Sequence, residues 1–328
     1  MQSDIEGAAR VVQLATSFNW TWKKDDIKHF CRLAGWEVQS RDKYGAIMRT
    51  GIDIGQPIAH STYNPDFLRQ EGKSSQQMIQ LQFFVAMADP GTTDVYALVA
   101  DKFAEFAARL MTDLSEPDRR RPGNGSEIAW HLPNLAIVLA GEDTFVQIDL
   151  VNPVYQKYLD LQATYDEDCG FDSEEFDELE GGIIDSGEEF TYSNPEEWGD
   201  FIAALAATVW VMPNDGHIEF STDNGSALVF VEDYRLECTS TPGEKVSETI
   251  FENPMFVGEE WIGSRSDGAL KWSRELFWPC RYTEYQKFAT SLADIFRSVY
   301  LAKSPAEVSI EAWENLGITP DISAFGVA

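Results

Sequence analysis

The stretch IQLQFFVAMADPGTTDVYALVADKFAEFAARL, residues 79–110, indicates how the first half of the chain folds. Apolar side chains occupy every second position from Ile79 to Met87, which predicts a half-buried strand that ends at Asp89-Pro90-Gly91. Apolar residues then recur at helical spacing, and Thr92 or Thr93 is the expected N-cap. A strand followed by an amphipathic helix predicts a sheet that packs against helices.

The residues on either side of this stretch extend the same pattern. Helical spacing predicts helices over residues 5–18 and 23–34, with Thr21 as a possible N-cap of the second. Strands are predicted at residues 36–50, 127–131, 134–140 and 144–151. The cluster Arg119-Arg120-Arg121 is predicted to be a turn that pairs with the chain's own acids. We therefore expect an α+β domain over residues 1–160.

An acidic segment follows this domain. Residues 161–200 contain fifteen Asp and Glu residues and no Lys or Arg. Such a block repels itself and buries little apolar surface, which predicts a flexible acidic linker over residues 161–193. Aromatic residues are interleaved with the acids, and they either dock onto a basic, partly apolar surface or hold the linker against its own domains.

A second α+β domain is predicted over residues 194–328. Asn194-Pro195-Glu196-Glu197 has the composition of a helix start, and Asp223-Asn224-Gly225 predicts a hairpin between strands at residues 216–222 and 227–238. Capping boxes at Thr283 and Ser304 predict two further helices, the last ending at Gly317. The fold class is therefore α+β, with two domains that each pack an antiparallel sheet with helices and are joined by an acidic linker.

The charge of the chain restricts its partners. Asp and Glu number 55 against 25 Lys and Arg, for a formal net charge of −30. Phosphate backbones and anionic lipids would be repelled, so we expect no nucleic-acid or membrane partner. Apolar runs of roughly 20 residues and a secretory signal are not apparent, which predicts a cytoplasmic protein.

Residue patterns for catalysis are weak. The four histidines are scattered singly, and Cys31 with His29 would point to different helix faces. Gly72-Lys73-Ser74 lacks the first glycine of a phosphate loop, and Gly263 to Gly268 predicts a turn rather than a nucleophile elbow. We expect no catalytic residues, no cofactor and no metal.

Several short segments carry a resemblance to known families. In the first half these are Phe18-Asn19-Trp20-Thr21-Trp22, Ala34-Gly35-Trp36, Leu114-Ser115-Glu116-Pro117, Glu127-Ile128-Ala129-Trp130 and Val146-Gln147-Ile148-Asp149-Leu150. On these residues the N-terminal half resembles a family of actinobacterial domains of unknown function. In the second half they are residues 198–205, the hairpin through 218–220 and 229–237, and Trp313-Glu314-Asn315-Leu316-Gly317. This half resembles α+β domains related to type III secretion chaperones, which occur in bacterial toxin and type VII secretion neighbourhoods.

The resemblance implies a noncatalytic cytosolic protein that binds a toxin or secreted effector, as an immunity protein or as an escort. A basic surface on that partner would suit the acidic linker. The partner-binding residues expected from the sequence are Phe171, Asp172, Glu174, Glu175, Phe176, Asp177, Glu178, Glu180 and Trp198. An enzyme with a carboxylate site assembled from distant residues and a purely structural oligomer remain alternatives. A pocket with a raised-pKa acid would favour the enzyme, and a broad exposed sheet would favour binding.

Overall fold

The chain is organised as two compact units, Met1–Ala163 (unit 1) and Thr164–Ala328 (unit 2). The computed structural model describes residues 1–63, 77–92, 94–123, 125–159, 195–232, 234–243, 261–266, 269–314 and 322–325. Each unit contains its own antiparallel sheet together with helices, so the predicted α+β class is confirmed. The acidic segment at residues 161–193 lies outside the described residues.

Unit 1 consists of a large sheet with helical segments packed on both of its faces. Its helices are α1 (Ile5–Ser17), α2 (Lys24–Ala34) and α3 (Val95–Leu114). Its strands are β1 (Gln2–Ser3), β2 (Glu37–Arg41), β3 (Gly45–Arg49), β4 (Ile58–Thr62), β5 (Gln80–Met87), β6 (Arg119–Arg121), β7 (Ser126–Leu132), β8 (Leu135–Gly141) and β9 (Phe145–Val151). The strand order is β2-β3-β4-β5-β9-β8-β7-β6, and β1 pairs with β5. Residues 153–159 are also helical.

An aromatic chain joins the helices of unit 1 to its sheet. Trp20 stacks near Phe30 with ring centroids 5.0 Å apart, and Phe30 meets Trp36 edge-on at 5.7 Å. Trp36 in turn contacts Phe83 of β5 at 5.6 Å. Each such contact stabilises the fold by roughly 0.5–1.5 kcal/mol beyond the contribution of the apolar surface that the rings bury. These contacts therefore hold α2 against the sheet face that carries Phe83.

Three details of unit 1 correct the sequence predictions. Lys23, not Thr21, is the N-cap of α2, because the Asp26 carboxylate reaches back and accepts the Thr21 backbone N–H at 2.7 Å. Asp94 precedes α3, while the Thr92 hydroxyl donates to the Asp89 carbonyl at 2.6 Å; Thr93 lies outside the described residues. The Arg119–Arg121 cluster is an edge strand, β6, rather than a turn, because it pairs with β7.

In the described part of unit 2, two helices and two short 3-10 segments pack with a six-stranded sheet. Its helices are α4 (Trp198–Trp210) and α5 (Tyr282–Ser298), and the 3-10 segments are Pro305–Glu307 and Ser323–Phe325. Its strands are β10 (Gly216–Thr222), β11 (Gly225–Glu232), β12 (Arg235–Pro242), β13 (Ile262–Ser266), β14 (Ala269–Phe277) and β15 (Ser309–Glu314). The order is β13-β14-β12-β11-β10-β15, antiparallel throughout.

Phe220 lies at the centre of the unit 2 core. Its ring lies 5.9 Å from Phe201 of α4, 6.4 Å from Phe296 of α5 and 5.9 Å from Phe325. Close packing continues at Gly225, where an added Cβ would lie 2.4 Å from the Tyr300 ring. The helices of unit 2 therefore cover the sheet face that carries Phe220.

The local sequence patterns predict the wrong secondary structure at several places in unit 2. The predicted strand at residues 227–238 is a hairpin, because the chain reverses at Tyr234, whose φ is 57°. The predicted helix after Ser304 is one 3-10 turn followed by β15, since residues 309–314 pair with β10. The other two helix starts are also displaced, to Trp198 and Tyr282.

None of the helices in the described ranges is long and apolar enough to cross a bilayer.

Candidate functional site

The face of the unit 2 sheet opposite its helices is the candidate functional site, and we call it the outer face. Strand residues alternate between the two faces. Ile218 and Phe220 of β10 are buried toward the helices, whereas His217, Glu219 and Ser221 are only half-buried. The same alternation holds in β11 and β12. The outer face is therefore the less covered side of the sheet.

A row of stacked rings crosses the outer face at one end. Register pairs His217 of β10 with Trp313 of β15 and with Phe230 of β11. The His217 ring lies 5.8 Å from each neighbour, with interplanar angles of 7° to Trp313 and 15° to Phe230. Trp313 is 37% exposed. We call Trp313, His217 and Phe230 the aromatic row.

Two pairs of like charges lie beside the aromatic row. Glu219 and Glu311 are direct register partners on β10 and β15, and Glu237 and Glu275 are partners on β12 and β14. Like charges directly opposite one another destabilise a sheet. Arg235 offsets the second pair, at 3.7 Å from Glu237 and 3.9 Å from Glu275. Within the described ranges, Glu219 and Glu311 are in no ion pair.

Two exposed apolar side chains extend the outer face toward its other edge. Ile262 of β13 is 67% exposed and lies opposite Ser273, on the outer side. Phe277 of β14 is 66% exposed and lies opposite Arg235. Aromatic and aliphatic groups bordered by carboxylates are suited to contact a protein surface that is basic and partly apolar.

The site residues predicted from sequence lie elsewhere or outside the described ranges. Trp198 opens α4, packs edge-on against Phe201 at 5.6 Å and lies beneath the Arg297 guanidinium at 5.9 Å. It belongs to the helix layer and not to the outer face. The other eight, from Phe171 to Glu180, lie outside the described residues.

Sequence reasoning missed the aromatic row for identifiable reasons. The capping signal at Ser304 predicts a helix that includes Trp313, so the sequence gives no reason to expect a pairing with His217. His217 is one of four histidines that are scattered singly along the chain. The alternation of His217, Glu219 and Ser221 with buried Ile218 and Phe220 was the available signal that these three share one face.

A half-buried acid, Asp149, is the main chemical feature of unit 1. Asp149 of β9 is the register partner of Gln82 on β5 and of Val138 on β8, on the face opposite α3. Tyr155, from the helical residues 153–159, packs against Val138 on this face. The Gln147 Nε2 donates to Asp149 Oδ2 at 3.2 Å, whereas Oδ1 is closed off from solvent and has no hydrogen-bond partner among the described residues. Burial raises the pKa of the Asp149 carboxyl to about 7, and the charge of Glu127 adds to the shift. Asp149 therefore exchanges its proton near neutral pH.

The basic cluster is paired with an acid of this chain, and Cys31 and Cys238 are buried. Arg119 pairs with Glu127 at 3.0 Å, in agreement with the prediction that the cluster contacts the chain's own acids. Burial raises the pKa of the Cys31 thiol to about 11 and also raises that of Cys238, so neither is a ready nucleophile. In the described part of the chain, no three His, Cys, Asp or Glu residues are placed to hold a metal ion.

Comparison with known proteins finds a similarity for most of unit 1. A search of curated proteins found no match to the chain. Residues 6–152 match the model of a family of unknown function, DUF6301. The match begins in α1 and ends directly after β9, so it includes strands β2 to β9 of the large sheet of unit 1. The N-terminal part of this chain is thus similar to the DUF6301 family, a domain family of unknown function.

Proposed function

We propose that this chain is a noncatalytic binding protein whose outer face covers a basic surface of another protein. In its specific form, it is an immunity protein that neutralises a cognate bacterial toxin by occlusion. The observation that supports this proposal best is the aromatic row beside the uncompensated Glu219–Glu311 pair. A protein that carries an unfavourable charge pair on an exposed face gains stability when a cationic partner binds there.

The outer face combines the two contributions that binding requires. Aromatic side chains bury large areas at low entropic cost and are common among the residues that dominate binding energy. The net charge of −30 speeds the encounter with a basic partner through long-range attraction. The aromatic row would then supply the buried anchor, and the surrounding acids would supply orientation and rate.

The cellular role is proposed from the resemblance of the second half to secretion-chaperone-like domains. A cell that makes a toxin for export needs a protein that masks it in the cytoplasm, which is where we place this chain. An escort of a secreted effector would use the same face. The two roles differ in whether the bound protein is toxic when expressed alone.

An enzyme is the second candidate function, and one observation favours it. Asp149 has a pKa near neutral and lies beside Gln82 and Gln147, as a general acid or base would require. Among the described residues no group of three His, Cys, Asp or Glu is placed to hold a metal ion there, and Glu127 is engaged by Arg119. Binding is therefore the function that the geometry supports better.

The first prediction concerns loss of the partner. Trp313→Ala and Phe230→Ala should each weaken binding of the natural partner by about tenfold or more, because each removes an aromatic anchor from the aromatic row. The measurement is affinity capture from the native cytosol, followed by titration of the purified partner. Co-expression with the wild-type chain should relieve the partner's toxicity, and co-expression with Trp313→Ala should not.

Tyr96→Ala is the matched control, since Tyr96 is 50% exposed on α3 of unit 1, outside the outer face. It should retain the partner at the wild-type ratio. Equal retention by Trp313→Ala, Phe230→Ala and Tyr96→Ala would show that the outer face is not the interface.

The second prediction concerns the acidic segment. Neutralising its acids to Asn and Gln should lower the association rate with a basic partner by roughly tenfold at low salt and should flatten its salt dependence. The positions to change are Asp172, Glu174, Glu175, Asp177, Glu178 and Glu180. Stopped-flow mixing with the purified partner measures the rate. An unchanged rate would remove this segment from the mechanism and leave the outer face as the proposed site.

A further inference from the structure

We propose that the edge of the outer face binds an arginine side chain of the partner, with its guanidinium stacked on Trp313 and paired with Glu311. This inference rests on the proposed function and specifies the chemistry of the partner at that site. It follows from the position of one strand, β15, at the edge of the sheet.

The aromatic row ends at β15. Phe230 and Trp313 occupy the two sides of His217, so the His217 ring has a neighbour on each face. Trp313 has His217 on one side only, and β15 is the last described strand on that side of the sheet. In the described part of the chain, the second face of the Trp313 ring therefore has no ring or cation against it. A flat group placed there would continue the stack.

The charge next to that ring face is negative. Glu311 lies two residues before Trp313 on β15, on the same face and about 7 Å away along the strand. Its register partner is Glu219, and neither acid is in an ion pair within the described ranges. A cation at this position would offset the repulsion between the two carboxylates. The indole and the carboxylates thus favour the same type of ligand.

Guanidinium fits this position better than ammonium or a metal ion. It is planar, so it stacks on an indole, and its two N–H edges can pair with a carboxylate at the same time. The chain already contains this contact in its helix layer, where the Arg297 guanidinium lies 5.9 Å above the Trp198 ring. At Trp313 the ring is present in the same way, and the partner would provide the guanidinium.

The test uses the full chain with indole ¹⁵N labels and three capped tripeptides, Gly-Arg-Gly, Gly-Lys-Gly and Gly-citrulline-Gly. Citrulline has nearly the shape of arginine and no charge. The Trp313 indole resonance, assigned with Trp313→Phe, should shift on titration with the arginine peptide. Binding of the citrulline peptide should be at least tenfold weaker, and the lysine peptide should bind with intermediate affinity. The Trp198 indole is an internal control that should not shift, because Arg297 already covers it.

Substitutions distinguish the contribution of the Trp313 ring to peptide binding from that of the Glu311 charge. Glu311→Gln should weaken binding of the arginine peptide severalfold, Trp313→Phe should retain part of it, and Trp313→Leu should abolish it. Glu284→Gln is the matched charge control, since Glu284 lies on α5 and pairs with Lys287. Equal binding of the arginine and citrulline peptides, or no effect of Glu311→Gln, would overturn the inference.

The inference and the proposed function can fail separately. If Trp313→Ala loses the natural partner but the arginine peptide does not bind, the outer face is the interface and the arginine site is wrong. If the arginine peptide binds as expected and Trp313→Ala keeps the natural partner, the arginine site stands and the proposed interface is wrong.

Discussion

Asp149→Asn should raise the free energy of unfolding of unit 1 by about 2–4 kcal/mol at pH 8 and change it little at pH 4. The Asp149 pKa is about 7 in the folded chain and roughly 3.9 in an unfolded one. Between these values the folded state holds a proton that the unfolded state has released. The free energy of unfolding of the wild type therefore decreases as the pH rises from about 4 to 7. Above pH 7 Asp149 causes no further decrease. Three pKa units correspond to about 4 kcal/mol, an upper value that solvent access at the half-buried residue reduces.

Urea denaturation from pH 4 to 8 measures this effect, with the unit 1 transition followed separately from that of unit 2. Asp143→Asn is the control, because Asp143 is exposed in the turn between β8 and β9. It should follow the wild-type pH profile. Parallel profiles for the wild type and Asp149→Asn would show that Asp149 does not hold its proton near neutral pH.

A stabilising Asp149→Asn variant would also bear on function. An acid that lowers stability at neutral pH imposes a cost that an amide would avoid, and such costs are common at functional sites. Partner binding by the purified Asp149→Asn protein should equal that of the wild type under our proposal, because the outer face belongs to unit 2. Loss of a measurable reaction in that variant would instead support the enzyme.

Phe220→Ala should destabilise unit 2 by about 4 kcal/mol, whereas Phe230→Ala should cost about 1 kcal/mol. Phe220 is fully buried among Phe201, Phe296 and Phe325, so its removal leaves a cavity in the core. Phe230 is half-buried on the outer face and leaves no enclosed cavity. Denaturant unfolding of unit 2, followed by circular dichroism, measures both.

This pair tests the assignment of the two faces, since both residues are phenylalanines on neighbouring strands of one sheet. Phe230→Ala should lose the partner while remaining folded, and Phe220→Ala should lose the partner only as far as unit 2 unfolds. Similar destabilisation by the two variants would mean that the outer face is covered and would contradict the proposed interface.

The strand and helix within residues 79–110 could be predicted because their signals are local. Alternation of apolar residues from Ile79 to Met87 and helical spacing after Val95 each depend on near neighbours. Helix starts were predicted less well. Asp26 bonds to the backbone of Thr21 across a turn, and such a contact competes with the simple N-cap expected there.

The proposed binding site depends on pairings between residues that are distant in the sequence. Ser304-Pro305 and Glu307 form one 3-10 turn, as their capping signal allows, but β10 then takes residues 309–314 into the sheet. Tertiary pairing overrides a short local preference, because β15 gains interstrand hydrogen bonds and cross-strand contacts along its whole length with β10. Trp313 thereby lies opposite His217, which is 96 positions earlier in the chain, and no local sequence pattern predicts that contact.

The sequence by itself determined the α+β class and the negative charge, since short-range periodicity carries the first and composition the second. Tertiary structure decided which side chains share a surface. It placed Trp313 and Glu311 beside His217 and Glu219, and it enclosed Asp149 enough to move its pKa to about 7. Stacking, like-charge opposition and desolvation all depend on distances between residues that are far apart in sequence, and only the folded sheet fixes those distances.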